Sequence, residues 1–445
     1  MKGLTMNVKN IPSWRHAIPT AAGISIAALA LSACSGGSTS SGSTPLAEET
    51  GPVQITLATP STQGGVPNYY QQFADAFHQK NPNVTIKIIE SPNDQHGQTI
   101  RTQLQAGNAP DMFYVSAGRG DVDSFSALAD AGYLHELTDQ GWASNTVPDS
   151  AKELYFNDEE KLYAIPTDLV PVTMILNVAV LEEKGLKPAT TLNELVSQCA
   201  ELRKDGKSLF VVAGTSVANT GLHALQIAAS TVYAEDPEWD EKRAKKEVMF
   251  ADSEWKKVLE QIVEFKEAGC YQEGVAGAGF DQLFPSVAQG KASAVFAPAG
   301  AIPALRGQVP NGKFDVGVMP GESADDSRLI ASPWFALAAN EAGEHKATVL
   351  KFMEFLAQPE NQDALAKSDG NVSLTAALKG QAPDTYAALK PYFEDSRKIV
   401  GQPNLIWPNS AVYDALGQGV QGLLTGQATP DQVLKNLDDA YNRGA

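Results

Sequence analysis

From residue 53 onward, the apolar residues switch repeatedly between a period of two and a period near 3.6. No other feature restricts the fold as strongly. Val53, Ile55 and Leu57 alternate as on a half-buried strand, and a Gly/Pro-rich turn spans 61–67. Tyr69, Tyr70, Phe73 and Phe77 then recur at helical spacing. Val84, Ile86 and Ile88 return to alternation, the stretch 99–106 reads as a helix stopped by Gly107, and Met112-Phe113-Tyr114-Val115 reads as a short buried strand. This strand–helix–strand rhythm calls for an α/β sheet with helices packed on its faces.

The rhythm continues. Residues 172–176 and 209–212 read as strands, the second ending in a polar loop at 214–221. Residues 192–203 and 253–268 form amphipathic helices, the second closed by Gly269. Further strands are expected at 293–297 and 314–318, an apolar run at 329–338 and a helix at 346–356. The chain from Pro391 reads as mostly helical, and the charged stretch 235–250 as surface. At 445 residues the chain exceeds one ordinary core, so two domains or lobes are expected.

The first 34 residues stand apart. Lys2, Lys9 and Arg15 precede an apolar run from about Ala17 to Ala30, interrupted by Pro19. Leu31-Ser32-Ala33-Cys34 follows. A charged start, a short apolar core and small residues before a cut describe an export signal over residues 1–33. A spanning helix needs about 20 apolar residues, more than this run supplies. The four-residue ending resembles a bacterial lipobox, which implies a diacylglycerol on Cys34; ordinary secretion is the alternative. Residues 35–44 are almost all Ser, Gly and Thr, so 34–52 read as a lipidated cysteine and flexible tether reaching on the order of 20–25 Å. The folded part is therefore expected outside the cytoplasmic membrane, anchored to its outer face.

Composition narrows the partners. The net charge is −18, and the export segment contributes only basic groups, so the remaining chain is more acidic still. Such acidity argues against nucleic acid and against broad adhesion to anionic lipid. Besides Cys34 there are only Cys199 and Cys270, with no metal-like spacing. Cys199 falls on the apolar face of its helix with Leu192, Leu195, Val196 and Leu202 and reads as a core thiol, so no disulfide is expected to be needed for stability. Pairing with Cys270 is the alternative outside the cytosol; spacing does not establish it.

Motifs for catalysis are missing. There is no G-x-S-x-G, H-E-x-x-H or G-x-x-x-x-G-K-[ST]. His135-Glu136 lacks a second histidine. Asp121 and Asp123 begin like a calcium loop, but Phe125 and Ser126 break it, and both acids read as solvated helix-start residues. Gly277-Ala278-Gly279 follows no strand and lacks a third glycine. No cofactor and no metal are expected. With 52 acids, a glycosidase pair stays open.

Several ordered segments resemble the family 1 extracellular solute-binding proteins, the maltose-binding type that serve carbohydrate ABC transporters. Asn108-Ala109-Pro110-Asp111 is similar to the family's G-x-x-P-D segment. Lys161-Leu162-Tyr163-Ala164-Ile165-Pro166 is similar to its K-x-Y-x-x-P crossover, and Gly290-Lys291-Ala292-Ser293-Ala294 to its G-K-A-A-M. Ile175-Leu176-Asn177, Lys184-Gly185-Leu186, Thr191-Leu192-Asn193-Glu194-Leu195 and Pro359-Glu360-Asn361-Gln362 follow in the family's order. The resemblance covers about 53–440. It implies a two-lobed α/β fold of the type II periplasmic-binding-protein kind, with a hinge and a ligand cleft. The N-terminal lobe would span 53–168 plus 336–388, and the C-terminal lobe 172–332 plus 392–445. It implies a monomer that holds a sugar or oligosaccharide, performs no bond chemistry and docks on membrane permease subunits.

Ligands in open α/β sheets bind beyond the carboxyl ends of strands, which independently selects the loops 59–67, 116–121 and 213–221. A sugar needs aromatic plates for its C–H faces and polar groups for its hydroxyls. Ser61, Thr62 and Gln63 are polar turn residues, and Ser116, Gly118 and Arg119 follow the strand 112–115. Arg119 could equally be a surface arginine. Asp168 could accept two hydroxyls or cap a turn. Family resemblance adds Asn219, Phe280, Trp334 and Tyr413, with Trp334 and Tyr413 as stacking plates and core packing as the alternative for Phe280. The run Pro298-Ala299-Gly300-Ala301-Ile302 lacks the family's tryptophan, and 214–221 lacks an aromatic, so maltodextrin itself is not implied. Two rivals remain: a binding protein for a charged solute such as a polyamine, and a surface glycoside hydrolase.

Overall fold

The computed structural model describes residues 49–61, 68–148 and 151–443. The export signal, Cys34, most of the tether, Thr62 and Gln63 lie outside these residues. The strands are β1 Val53–Pro60, β2 Val84–Ser91, β3 Met112–Ser116, β4 Ala164–Pro166, β5 Val170–Asn177, β6 Ser208–Phe210, β7 Ala292–Pro298, β8 Phe314–Gly317, β9 Leu329–Ser332, β10 Phe335–Ala339 and β11 Ile399–Val400. They form two sheets. The first runs β2-β1-β3-β10-β4, with β1 parallel to β2 and β3, and β10 antiparallel to β3 and β4. The second runs β11-β9-β5-β7-β6, with β8 also paired to β5.

Side-chain periodicity explains both. In β1, Val53, Ile55 and Leu57 are buried while Gln54 is exposed, so the strand has one wet face at its start. Interior strands β3 and β5 are buried at every position, as continuous apolar runs require when helices cover both faces. Along β5, Val172, Met174 and Leu176 join one core while Ile175 joins another on the opposite face. The first sheet packs Leu57, Tyr70, Phe73, Phe77, Phe113, Leu337 and Phe352 into its own core.

Several helices start and stop where their capping chemistry says. Thr191 accepts a hydrogen bond from the Glu194 N–H and opens the helix Leu192–Arg203. Gly107, in the left-handed region at φ 70°, closes the helix His96–Ala106. That helix begins three residues before the expected start.

Other expectations need correction. The segment 217–221, read as loop, is the first turns of the helix Val217–Ala229, because Ser216 caps it by accepting from the Asn219 N–H. The apolar run 329–338 resolves into two strands in different sheets, split at Pro333-Trp334, between the expected lobe bounds 332 and 336. Val372, Tyr386 and Leu389, expected with the first lobe, pack against the second sheet, because the chain crosses over just after the helix Pro359–Asp369. The charged stretch 235–250 also hides a core. Trp239, Arg243 and Phe250 are buried, and the Arg243 guanidinium pairs with Asp438 at 3.2 Å and lies over the Tyr441 ring.

The chain passes between the sheets at 167–169, 333–334 and 370–372. A strap, Pro403–Ile406, returns to the first sheet: Leu405 enters the first core and Trp407 the second.

Cys199 and Cys270 form a disulfide, with Cα atoms 4.7 Å apart, against the expectation of a core thiol. Both residues are fully buried, which is why an apolar helix face and a disulfide look alike in sequence. The bridge closes a separation of 71 residues, so it should stabilise the fold by about 2–4 kcal/mol. Denaturant titration with and without reductant should show the midpoint falling on reduction.

Candidate ligand-binding cleft

The carboxyl ends of β1, β3 and β7 and the amino end of the antiparallel β10 open onto one cleft of about 650 Å³. Its walls come from both sheets. Ser61, Tyr114, Ser116, Asp121, Trp334 and Phe335 line one side. Thr215, Asn219, Phe280, Phe284, Phe296 and Tyr413 line the other. The start of the helix Val217–Ala229 also faces the cleft with Val217 and Ala218, so the positive end of its dipole points there.

The aromatic part is anchored by stacking. Trp334 lies flat on Phe335, with centroids 5.1 Å apart and planes at 5°. Its indole Nε1–H donates to Asp121 Oδ2 at 3.3 Å. Behind it, the hydroxyls of Tyr69 and Tyr70 each meet that of Tyr114 at 3.0 Å. Burial raises the pKa of all three phenols far above the ordinary value, so they stay protonated and can donate.

The acidic part is costly. Asp121 is pushed up to about 6, first by burial and then by the nearby charge of Asp123. Donors from Trp334 and Asn404 hold its ionised form. Ser116 donates to Asp123 at 3.0 Å. Asp369 is likewise raised to about 6 by burial. Asp168 stands beside it, raised well above the usual carboxylate range by burial and then by Asp369. Asn371 Nδ2 donates to Asp168 at 3.2 Å and to Asp369 at 2.9 Å. His96 is lowered to about 4 by burial; Tyr114 O can only accept, so the Nε2 carries the proton and Nδ1 accepts from Ser91. With Asp94 and Asp414, five aspartates line the cleft, and no lysine or arginine does among the described residues.

Of the expected site residues, Ser61, Ser116, Asn219, Phe280, Trp334 and Tyr413 converge on this cleft. Three do not. Asp168 is fully buried beneath the crossing, with its oxygens taken by Thr167 and Asn371. Gly118 donates its N–H to Leu154 O, and Arg119 pairs with exposed Asp158 at 3.0 Å; both face a separate recess. They point away because the loop after β3 turns back at once, Ser116 N–H bonding to Asp123 O. Asn219 has spent its oxygen on the Ala213 N–H. Tyr413 is mostly buried and donates its hydroxyl to Ala218 O, so it offers an edge of its ring more than an open plate.

Sequence reasoning missed Asp121, Asp369, Asn371, Tyr69, Tyr114 and Phe335. Asp121 and Asp123 are not solvated helix-start acids; both are half-buried at the cleft, Asp121 at the edge of the indole and Asp123 accepting from Ser116. A signal existed for Asp121, since the loop 116–121 had been selected by the strand-end rule. Asp369 and Asn371 gave none, because their helix ends in an ordinary Gly370 stop.

The Asp168–Asp369 pair yields a pH prediction. The Asp168 pKa in the fold exceeds its reference value of 3.8, so its contribution to stability is complete below about pH 4 and is lost as pH rises toward the folded value. Asp168→Asn keeps the shape of the protonated acid and removes that loss. The variant should melt at least roughly 2 °C higher than wild type at pH 7–8, the shift that ~1 kcal/mol gives in a sizeable domain, with the gain vanishing near pH 4. Thermal melts across pH check this.

The fold is similar to solved structures of known type. One, from work on xylan utilization by Caldanaerobius polysaccharolyticus, matches with a TM-score of 0.74 at 17% identity over 87% of this chain and 99% of the other. A sugar transporter from Bacillus licheniformis in complex with stachyose matches at 0.69 and 22% identity over 88% and 100%. In sequence, the melibiose/raffinose/stachyose-binding protein MelE of Bacillus subtilis is 22% identical over 94% of this chain and 95% of its own. The multiple sugar-binding protein of Streptococcus mutans is 23% identical over 71% and 73%. The family model of bacterial extracellular solute-binding proteins matches residues 72–391, well over half of the chain, and the chain belongs to that family.

Proposed function

We propose that this protein is the substrate-binding lipoprotein of an ABC importer and that it captures a neutral oligosaccharide outside the membrane. The observation that carries this reading is the Trp334 plate, stacked on Phe335 at the crossing between two sheets and opening on a cleft of pocket size. A flat indole suits the C–H face of a sugar ring, and the surrounding carboxylates and positive helix end suit its hydroxyls. The lack of lysine and arginine among the described lining residues disfavours uronic or phosphorylated sugars. The similar MelE and multiple sugar-binding proteins support a saccharide ligand. Tyr69 and Tyr114 act as hydroxyl partners, while Asp168 serves the crossing rather than the ligand. Ligand touching both walls favours the closed form by differential affinity alone, with no bond made or broken.

The five lining aspartates favour one second reading, a cationic solute such as a polyamine. Against it, Asp121, Asp123 and Asp369 already accept from Trp334, Asn404, Ser116 and Asn371.

Calorimetry against melibiose, raffinose, stachyose, xylo-oligosaccharides, glucuronate-bearing saccharides and spermidine should find binding among the neutral sugars only, and prolonged incubation should leave them intact. Trp334→Ala should then weaken binding by 30- to 1,000-fold, the equivalent of about 2–4 kcal/mol. The wild type should compact on binding, read as a smaller scattering radius. Spermidine binding with no sugar binding would replace this reading with the second. Anchoring is tested separately: Cys34→Ala should release the protein to the medium or leave it unprocessed, and an unmodified Cys34 in mature, membrane-retained protein would refute the lipid anchor.

A further inference from the structure

We propose that Asp121 and Asn404 are positioning residues that fix the plane of Trp334 and tie it to the strap between the lobes. The inference rests on the reading of Trp334 as the stacking plate.

A ring lying flat on another aromatic can still slide and turn within its plane, since stacking is broad in that direction. Trp334 has one polar side-chain atom with which to resist this, and Nε1–H gives it to Asp121 Oδ2. The other oxygen of Asp121 accepts from Asn404 Nδ2 at 2.9 Å. Asn404 is fully buried, so its amide has no water to trade with. The chain Asn404–Asp121–Trp334 therefore sets the plate through two directed bonds.

The backbone is shaped to allow this. Arg119 and Gly120 N–H both donate to Leu405 O, at 2.8 and 3.3 Å. A Cβ on Gly120 would come within 1.5 Å of Asn404 O, and one on Gly118 within 2.0 Å of Leu405 O. Only glycine lets the strap lie this close to the loop. Three residues beyond Asn404, Trp407 sits in the second core and donates its own Nε1–H to Asp240 at 3.1 Å. The strap thus carries the orienting amide of the first-lobe plate on a segment rooted in the second lobe.

The test exchanges the partners. Asp121→Leu removes both acceptors at similar size; Asp121→Asn alone would not, because the unpartnered Oδ1 of Asn404 can turn to accept from the new amide. Asn404→Asp sets two carboxylates face to face. The double variant D121N/N404D donates from position 121 to position 404 and keeps an acceptor for Trp334, so both bonds return. In indole-selective NMR, the Trp334 Nε1–H resonance is the one lost in Trp334→Phe. It should move in each single variant and return in the double. Stachyose affinity should fall about 10-fold or more in each single variant and recover to within roughly 3-fold in the double. If a single variant fails to fold, Asn404→Ser, which keeps a smaller donor, should still move the resonance. An unmoved resonance in folded single variants, or a double variant no better than the worse single one, overturns the proposal. If Trp334→Ala leaves saccharide binding intact, the functional reading fails instead, and the resonance still decides whether Asp121 and Asn404 set the plate.

Discussion

Backbone that leaves one sheet and enters another must find partners for its polar groups outside both ladders, and the cleft is built from the solutions. Leu169 and Val372 meet in an isolated antiparallel bridge and exchange both hydrogen bonds, at 2.9 and 3.0 Å. Trp334 O accepts from Ala117 N–H, and Pro333 O accepts from the Tyr155 hydroxyl at 2.7 Å. Leu405 O accepts from the loop after β3. Each crossing thus finds protein partners in a neighbouring segment. What the crossings leave for a ligand is side-chain surface: the indole face, phenol hydroxyls and carboxylate edges.

Burying carboxylates at these crossings has a cost that the fold limits by sharing donors. Asp168 and Asp369 share Asn371, and their mutual repulsion is relieved when one keeps a proton. Asp121 lies near Asp123 and relies on an indole and an amide. No lysine or arginine lines the cleft among the described residues to neutralise them. A ligand bearing a negative charge would add repulsion in a low-dielectric space, whereas hydroxyl groups can add donors beside those the acids already accept from. On the proposed reading, the polarity of the cleft would select by charge before shape.

Much of the scaffold was legible because periodicity reports which face of an element is dry. The helix 192–203 and the strands around Val53, Met112 and Val172 followed from spacing alone. Failures had physical causes. The stretch 217–221 looked like loop because the run 214–221 has a glycine at each end and Thr, Ser, Asn and Thr between, yet Gly221 is inside a helix, where a Cβ would strike the Tyr413 ring at 2.6 Å. Asp168 was expected at the ligand because it follows Pro166 at a crossover, but linear proximity to a crossing does not say which side a side chain faces. Trp334 was selected by family resemblance, which set a lobe crossover at that position. Its partners Asp121 and Asn404 come from positions far apart in sequence, and nothing in one chain's pattern pairs them.

The location of the plate has a mechanical consequence. Ser332 ends a strand of the second sheet and Phe335 begins one of the first, so Trp334 occupies part of a turn that any relative motion of the sheets must bend. A ligand stacked there touches a residue whose backbone belongs to both bodies. On the proposed reading, a ligand resting on this plate meets the opposite wall at Asn219 and Tyr413 only at one angle between the sheets. Only such angle-dependent contact shifts an equilibrium between open and closed forms, so the plate favours closure through the second wall that its ligand reaches.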